Sequence, residues 1–167
     1  MIKKRETTSG LSKAIQLSFE QHIENTTYNK MIPPEFSIKI ANTLEEREAV
    51  FALAYQVYLE KGYVKENLQH WLVKNYDFFS QTVILIVQNQ CKQIVGSLTL
   101  VFNEDSKLPV EKIYQEEINF VKLGGNKILE VSRLIISNEY RNTKEVLNLL
   151  LNYMLIYSYH VKKYHSM

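Results

Sequence analysis

Hydrophobic positions divide the chain into segments of different period. Over residues 10–24, Leu11, Ala14, Ile15, Phe19 and Ile23 fall on one helical stripe, with Ser18 and His22 between them. Lys13, Gln16, Glu20 and Glu24 fall on the opposite face, so the spacing predicts an amphipathic helix packed on its own domain. A polar stretch follows and closes with Pro33-Pro34, which reads as a linker. Phe36, Ile38 and Ile40 then alternate with Ser37 and Lys39, the pattern of a half-buried strand. Thr43 and Glu46 have capping-box spacing and open a helix expected to run to about Leu59, with Gly62 as its stop. A second, aromatic-rich helix is expected around Leu68 to Lys74.

The period changes at Thr82. Thr82–Gln88 and Gln93–Phe102 are β-branched runs joined by an Asn89-Gln90 turn, a predicted hairpin. Leu108-Pro109 precedes a helix at about 110–122, with Ile113, Ile118 and Val121 inward and Gly124-Gly125 as its break. Residues 128–137 form another strand. Asn142 with Glu145 is expected to cap a last helix, 143–162, apolar almost all round and hence buried. The expected order is β-α-α-β-β-α-β-α. The division expected is a helical extension and linker, 1–34, and one domain, 35–167. That domain should expose an unpaired edge on strand 128–137, which predicts pairing with a second copy as a homodimer.

Composition narrows the chemistry. The 167 residues are 46% hydrophobic and 23% charged, with a net charge of +2, which leaves no electrostatic footprint for nucleic acid. A single cysteine, Cys91, excludes an internal disulfide and a cysteine-cluster metal site and suits a cytoplasmic location. No apolar run is long enough for a membrane span. Five glycines, two of them adjacent, make no dinucleotide or phosphate loop. No metal is expected: His160 and His165 are poorly spaced for one, and Glu116-Glu117 reads as a solvated face.

The motif richest in chemistry is Glu130-Val131-Ser132-Arg133-Leu134. Strict alternation puts Glu130, Ser132 and Leu134 on one face and Val131 and Arg133 on the other. A carboxylate on an otherwise apolar strand needs a partner or a function. The strand leads through Arg141, Asn142 and Lys144 into a helix, and a helix N-terminus with basic flanks suits an anion.

Taken in order, Tyr55-Gln56-Val57-Tyr58, Gly62-Tyr63, Tyr76-Asp77, Val95-Gly96-Ser97-Leu98-Thr99-Leu100-Val101, Leu108-Pro109, Glu117, Glu130-Val131-Ser132-Arg133-Leu134 and Arg141 resemble the catalytic core of the FeeM-like N-acyl amino acid synthases. These are relatives of the acyl-homoserine-lactone synthases within the GNAT acyltransferases. The resemblance spans Tyr55 to Tyr164 and implies a GNAT-like α/β fold with a mixed, mostly antiparallel sheet flanked by helices. It implies transfer of a long-chain acyl group from an acyl carrier protein or coenzyme A thioester to the α-amine of an amino acid. No cofactor is held permanently; the phosphopantetheine of the donor is a co-substrate.

By the same resemblance Glu130 matches the base, with Ser132 and Arg133 beside it. Backbone N–H groups of Leu134, Ile135 and Ile136 would meet the pantetheine arm, and Arg141 and Asn142 its phosphate end. Tyr58, Tyr63, Asp77 and Thr99 would line the substrate site. Gln56 departs from the arginine common in relatives, Lys144 and Val146 replace phosphate-loop glycines, and the family's C-terminal part is not matched. The alternatives are an acyl-homoserine-lactone-type synthase and a non-catalytic module that binds acyl groups or the carrier protein.

Overall fold

The computed structural model describes residues 32–103 and 107–161. The predicted helix 10–24 lies outside them. Four strands, β1 (Phe36–Ile40), β2 (Thr82–Asn89), β3 (Ile94–Phe102) and β4 (Leu129–Ile136), form one sheet in the order β1-β2-β3-β4. Every pairing is antiparallel. Helix α1 (Leu44–Glu60) covers one face and α3 (Glu145–Ile156) the other, while α2 (Gln115–Leu123) lies in the β3–β4 connection.

Alternation along the central strands separates the two cores. Ile84 and Ile86 meet Val50 and Phe51 of α1, and Ile135 joins Ala54 and Tyr55. Leu85, Val87, Leu98, Leu100 and Phe102 point the other way, onto Val146, Leu149, Leu150 and Tyr153 of α3. Contact there is close at Gly96. A Cβ at this position would lie 2.6 Å from Val146 Cγ1 and 3.3 Å from Leu150 Cδ1, so glycine lets α3 seat on β3.

The capping box forms as the sequence predicts. Thr43 Oγ1 accepts from Glu46 N–H, and the Glu46 carboxylate accepts from Thr43 N–H. Four expectations change. No helix forms over 68–74. His70 adopts φ 53°, and the backbone is held instead by a tertiary bond, Leu72 N–H to Phe51 O at 3.0 Å, and a local one, Lys74 N–H to the Asp77 carboxylate at 2.7 Å. The segment ends in a single 3-10 turn, Asn75–Phe78.

The hairpin turn is longer than Asn89-Gln90: Lys92 takes φ 62°, and Asn89 and Gln93 bond across it. The helix at 110–122 splits into a 3-10 turn, Pro109–Lys112, and α2, which buries no residue; Ile113 is exposed rather than inward. The last helix begins at Glu145 rather than 143, with Lys144 and not Asn142 at its cap, and continues past Ile156 as a π turn, Tyr157–Val161. Its Leu151 and Leu155 are exposed, because only one side of the helix meets the sheet.

Candidate functional site

A β-bulge builds the site. Thr99 of β3 pairs with Arg133, but the next residue, Leu100, pairs with Val131, so Ser132 is the extra residue. The bulge reverses the alternation. Glu130 opposes Val101, and Arg133 opposes Thr99, so Glu130 and Arg133 both lie on the α1 face. This corrects the strict alternation, which put Arg133 opposite to Glu130 and Leu134 beside it. Leu134 now points toward the α3 side and is exposed.

Arg133 is buried, and its guanidinium closes a network with the segment after α1. Nη2 donates to Asp77 Oδ1 at 2.8 Å and Nη1 to Leu72 O at 3.2 Å. The Asp77 carboxylate, fully buried, also accepts from Lys74 N–H. Thr99, opposite Arg133 and also fully buried, has no hydrogen-bond partner for Oγ1 among the described residues. The pair thus ties the 72–78 segment to β4. That segment sets Tyr76 beside Ser132. Burial pushes the Tyr76 phenol up, against the lowering influence of Ser132 and Arg133.

Glu130 is half-buried and accepts from Val110 N–H at 2.9 Å. Burial raises its carboxyl above the ordinary value; the Val110 N–H opposes this, and repulsion from Glu111 adds to it. Glu111 behaves oppositely. Burial pushes it up, but the Lys122 ammonium at 2.7 Å and the Leu108 N–H outweigh burial and hold it below the ordinary value. Two neighbouring carboxyls are therefore driven apart, and the one on β4 is the better proton acceptor of the two.

Ser137 N–H donates to Val95 O, so ladder alternation turns the Ile135 N–H toward β3 and those of Leu134 and Ile136 toward the other edge of β4, which no strand among the described residues pairs. Arg141 sits at that edge. Its Nε donates to Ile136 O at 3.1 Å, and its Nη2 lies 3.6 Å from a Glu60 oxygen. Asn142 is exposed. Tyr58 packs edge-on against Tyr63, with ring centroids 5.7 Å apart, and Tyr63 is largely exposed. The structure therefore gathers Glu130, Ser132, Arg133, Asp77 and Thr99 on one face, with Arg141 at the adjacent edge and the Tyr58–Tyr63 pair at the end of α1.

Sequence reasoning passed over Tyr76, although it stands next to Asp77 in a quoted motif. It also passed over a cleft of about 480 Å³ between residues 73–79 and 107–115. Only the backbone path of the loops reveals that cleft.

An antiparallel sheet with a bulged fourth strand at its edge among the described residues and helices on both faces has the architecture of a GNAT-like acyltransferase. Within that class, the family model for the N-acyl amino acid synthase FeeM matches residues 49–167, and the chain belongs to this family. The structure of FeeM, an N-acyl amino acid synthase from uncultured soil microbes, superimposes with TM-score 0.58 at 18% identity, over 74% of this chain and 66% of that one. The chain thus spans just under two thirds of the FeeM structure. A Bacillus halodurans protein (17% identity, 72% and 73% covered, TM-score 0.49) and a Trypanosoma brucei acetyltransferase (13%, 74% and 75%, 0.44) are more distant. Among curated proteins no sequence match is found. No helix among the described residues is long and apolar enough to cross a membrane.

Proposed function

We propose that the chain is an N-acyltransferase that moves a long-chain acyl group from an acyl carrier protein or coenzyme A thioester to the α-amine of an amino acid. The observation that carries this reading is Glu130: a carboxyl raised by burial, held by one backbone N–H, on the bulged strand whose outer edge no described strand pairs. An ammonium group cannot attack a thioester. Glu130 accepts its proton, and the neutral nitrogen adds to the thioester carbonyl. The N–H groups of Leu134 and Ile136 are the donors available to the pantetheine arm and to the oxyanion. The C–N bond forms, the C–S bond breaks, and the thiol leaves with the proton lost by the amine.

Ser132 is the bulge residue on the strand that carries Glu130, Tyr76 lies beside it, and Arg133 holds the Tyr76 segment in place. Arg141 and Asn142 flank the phosphate end of the donor. Tyr58, Tyr63 and Thr99 belong to the walls on the α1 side.

The test is N-acyl product formation, followed by mass spectrometry, from dodecanoyl thioesters and an amino acid mixture. Glu130→Gln should lower kcat by roughly 10²–10⁴-fold, the usual worth of a positioned base, and leave thioester binding intact. Full activity in the variant would refute the role of Glu130. Thioester binding without product in the unmodified protein would instead favour a non-catalytic acyl-binding module.

A further inference from the structure

Glu111 is a buried carboxylate outside the acyl-transfer chemistry itself. Its Oε1 accepts from Leu108 N–H at 2.7 Å and from Lys122 Nζ at 2.7 Å. The first bond closes the Pro109–Lys112 turn on itself, and the second ties that turn to α2, a helix that buries no residue of its own. Val110 stands inside the same turn, and its N–H reaches Glu130 at 2.9 Å. One carboxylate therefore fixes the backbone donor that holds the other. A partly buried ion pair adds little stability over packed apolar side chains, whereas a charge beside a proton acceptor changes when that acceptor binds its proton.

We infer that Glu111 is a positioning residue for Glu130: it sets the turn from which Val110 N–H meets the Glu130 carboxylate, and it keeps a negative charge, balanced by Lys122, beside that carboxylate. The inference rests on the reading of Glu130 as the base. Burial disfavours the charged form of Glu130, Val110 N–H favours it, and the Glu111 charge disfavours it again. Glu111 thus acts on the base in two opposite senses, through the turn and through its charge. The other charges on the surrounding elements are paired or wet. Arg133 on β4 is taken by Asp77, and Lys74, Lys107 and Lys112 are exposed and hence screened. Opposite Glu130, β3 presents Val101, which carries no charge.

The experiment follows the Glu130 carboxyl by NMR titration of the full chain with labelled glutamate, its signal identified by its loss in Glu130→Gln. The pH profile of kcat/KM for acyl transfer from dodecanoyl thioester is recorded alongside. Glu111→Gln keeps an acceptor for Leu108 N–H and removes the charge. Glu130 should then release its proton at lower pH, and on the acid limb the variant should keep about threefold more of its own plateau activity than the unmodified protein does. Lys122→Met leaves the Glu111 charge unbalanced and should move the limb the other way, to about a threefold smaller share. Glu111→Leu takes the acceptor from Leu108 N–H and should lower kcat about tenfold or more against Glu111→Gln, because the donor to the base is misplaced.

Opposite shifts in the glutamine and methionine variants support the assignment. A merely disturbed turn would lose the Val110 bond in both and move both upward. Shifts in one direction, or none, overturn the assignment and leave the acyltransferase standing, as does a folded leucine variant as active as the glutamine one. The first two variants decide the matter whether or not the leucine variant folds, which circular dichroism reads. Opposite NMR shifts that the activity profile does not follow uphold the link from Glu111 to Glu130 and sink Glu130 as the base.

Discussion

The Arg133–Asp77 pair offers the sharpest test of how the site is held. Both side chains are withdrawn from water, at 1% and 0% exposure. Asp77→Asn removes the negative charge with little change in volume. It leaves a guanidinium buried against Leu72 O and weakens the bond that Lys74 N–H makes. Breaking a buried pair from one side costs about 3–5 kcal/mol, because the surviving charge has no counterpart. Domains have about 5–15 kcal/mol in all, so the loss is a large fraction. With a urea m-value of about 2 kcal/mol/M, the midpoint should fall by about 1.5–2.5 M.

Urea titration followed by circular dichroism reads the global loss. The only tryptophan, Trp71, sits in the tied segment with its ring edge-on to Phe51, so its fluorescence reads that segment alone. The fluorescence transition should precede the dichroism transition in the variant and coincide with it in the unmodified protein. Replacing both partners, Asp77→Leu with Arg133→Met, should recover most of the loss. A drop below about 1 kcal/mol for Asp77→Asn would refute the argument, since that is the worth of a solvated pair.

Glu130→Gln should also change stability, in a direction set by pH. The folded carboxyl is raised above its ordinary value of 4.5, so the folded chain holds a proton that the unfolded chain has released. That contribution is present below the ordinary value and is lost as pH rises through the raised one. The glutamine variant should therefore be the more stable protein at neutral pH and the equal of the unmodified one in acid; thermal melts across pH check this, and a less stable variant at pH 7 refutes it. The activity of the unmodified protein should fall on acidification at a pH above the ordinary glutamate value, read from the pH profile of kcat/KM. Gly96→Ala forces a methyl against Val146 and Leu150 and should cost about 1–3 kcal/mol in urea unfolding, by overpacking. A neutral result there would mean that α3 shifts freely on β3.

Local sequence pattern determined the strands, the hairpin and α1 with its cap, and the ordered motifs carry the resemblance to the family. Those features rest on local physics. Alternation at Phe36–Ile40, the β-branched runs from Thr82 to Phe102 and the Thr43–Glu46 box act within a few residues of one another. Tertiary structure decided the rest. Residues 68–74 have a helix-compatible composition, yet the Leu72 backbone is bonded to Phe51 and to Arg133, which no local rule anticipates.

The bulge at Ser132 decided most for the site. One extra residue on β4 turned Arg133 onto the face of Glu130 and into reach of Asp77, fifty-six positions away in the chain. Strict alternation reads every strand residue as paired one for one, and a bulge is a property of two strands together. The cleft between residues 73–79 and 107–115 was likewise invisible in sequence. Its walls are two irregular segments whose paths follow from what anchors them, Asp77 on one side and Glu111 with Glu130 on the other, rather than from any repeat in their own residues.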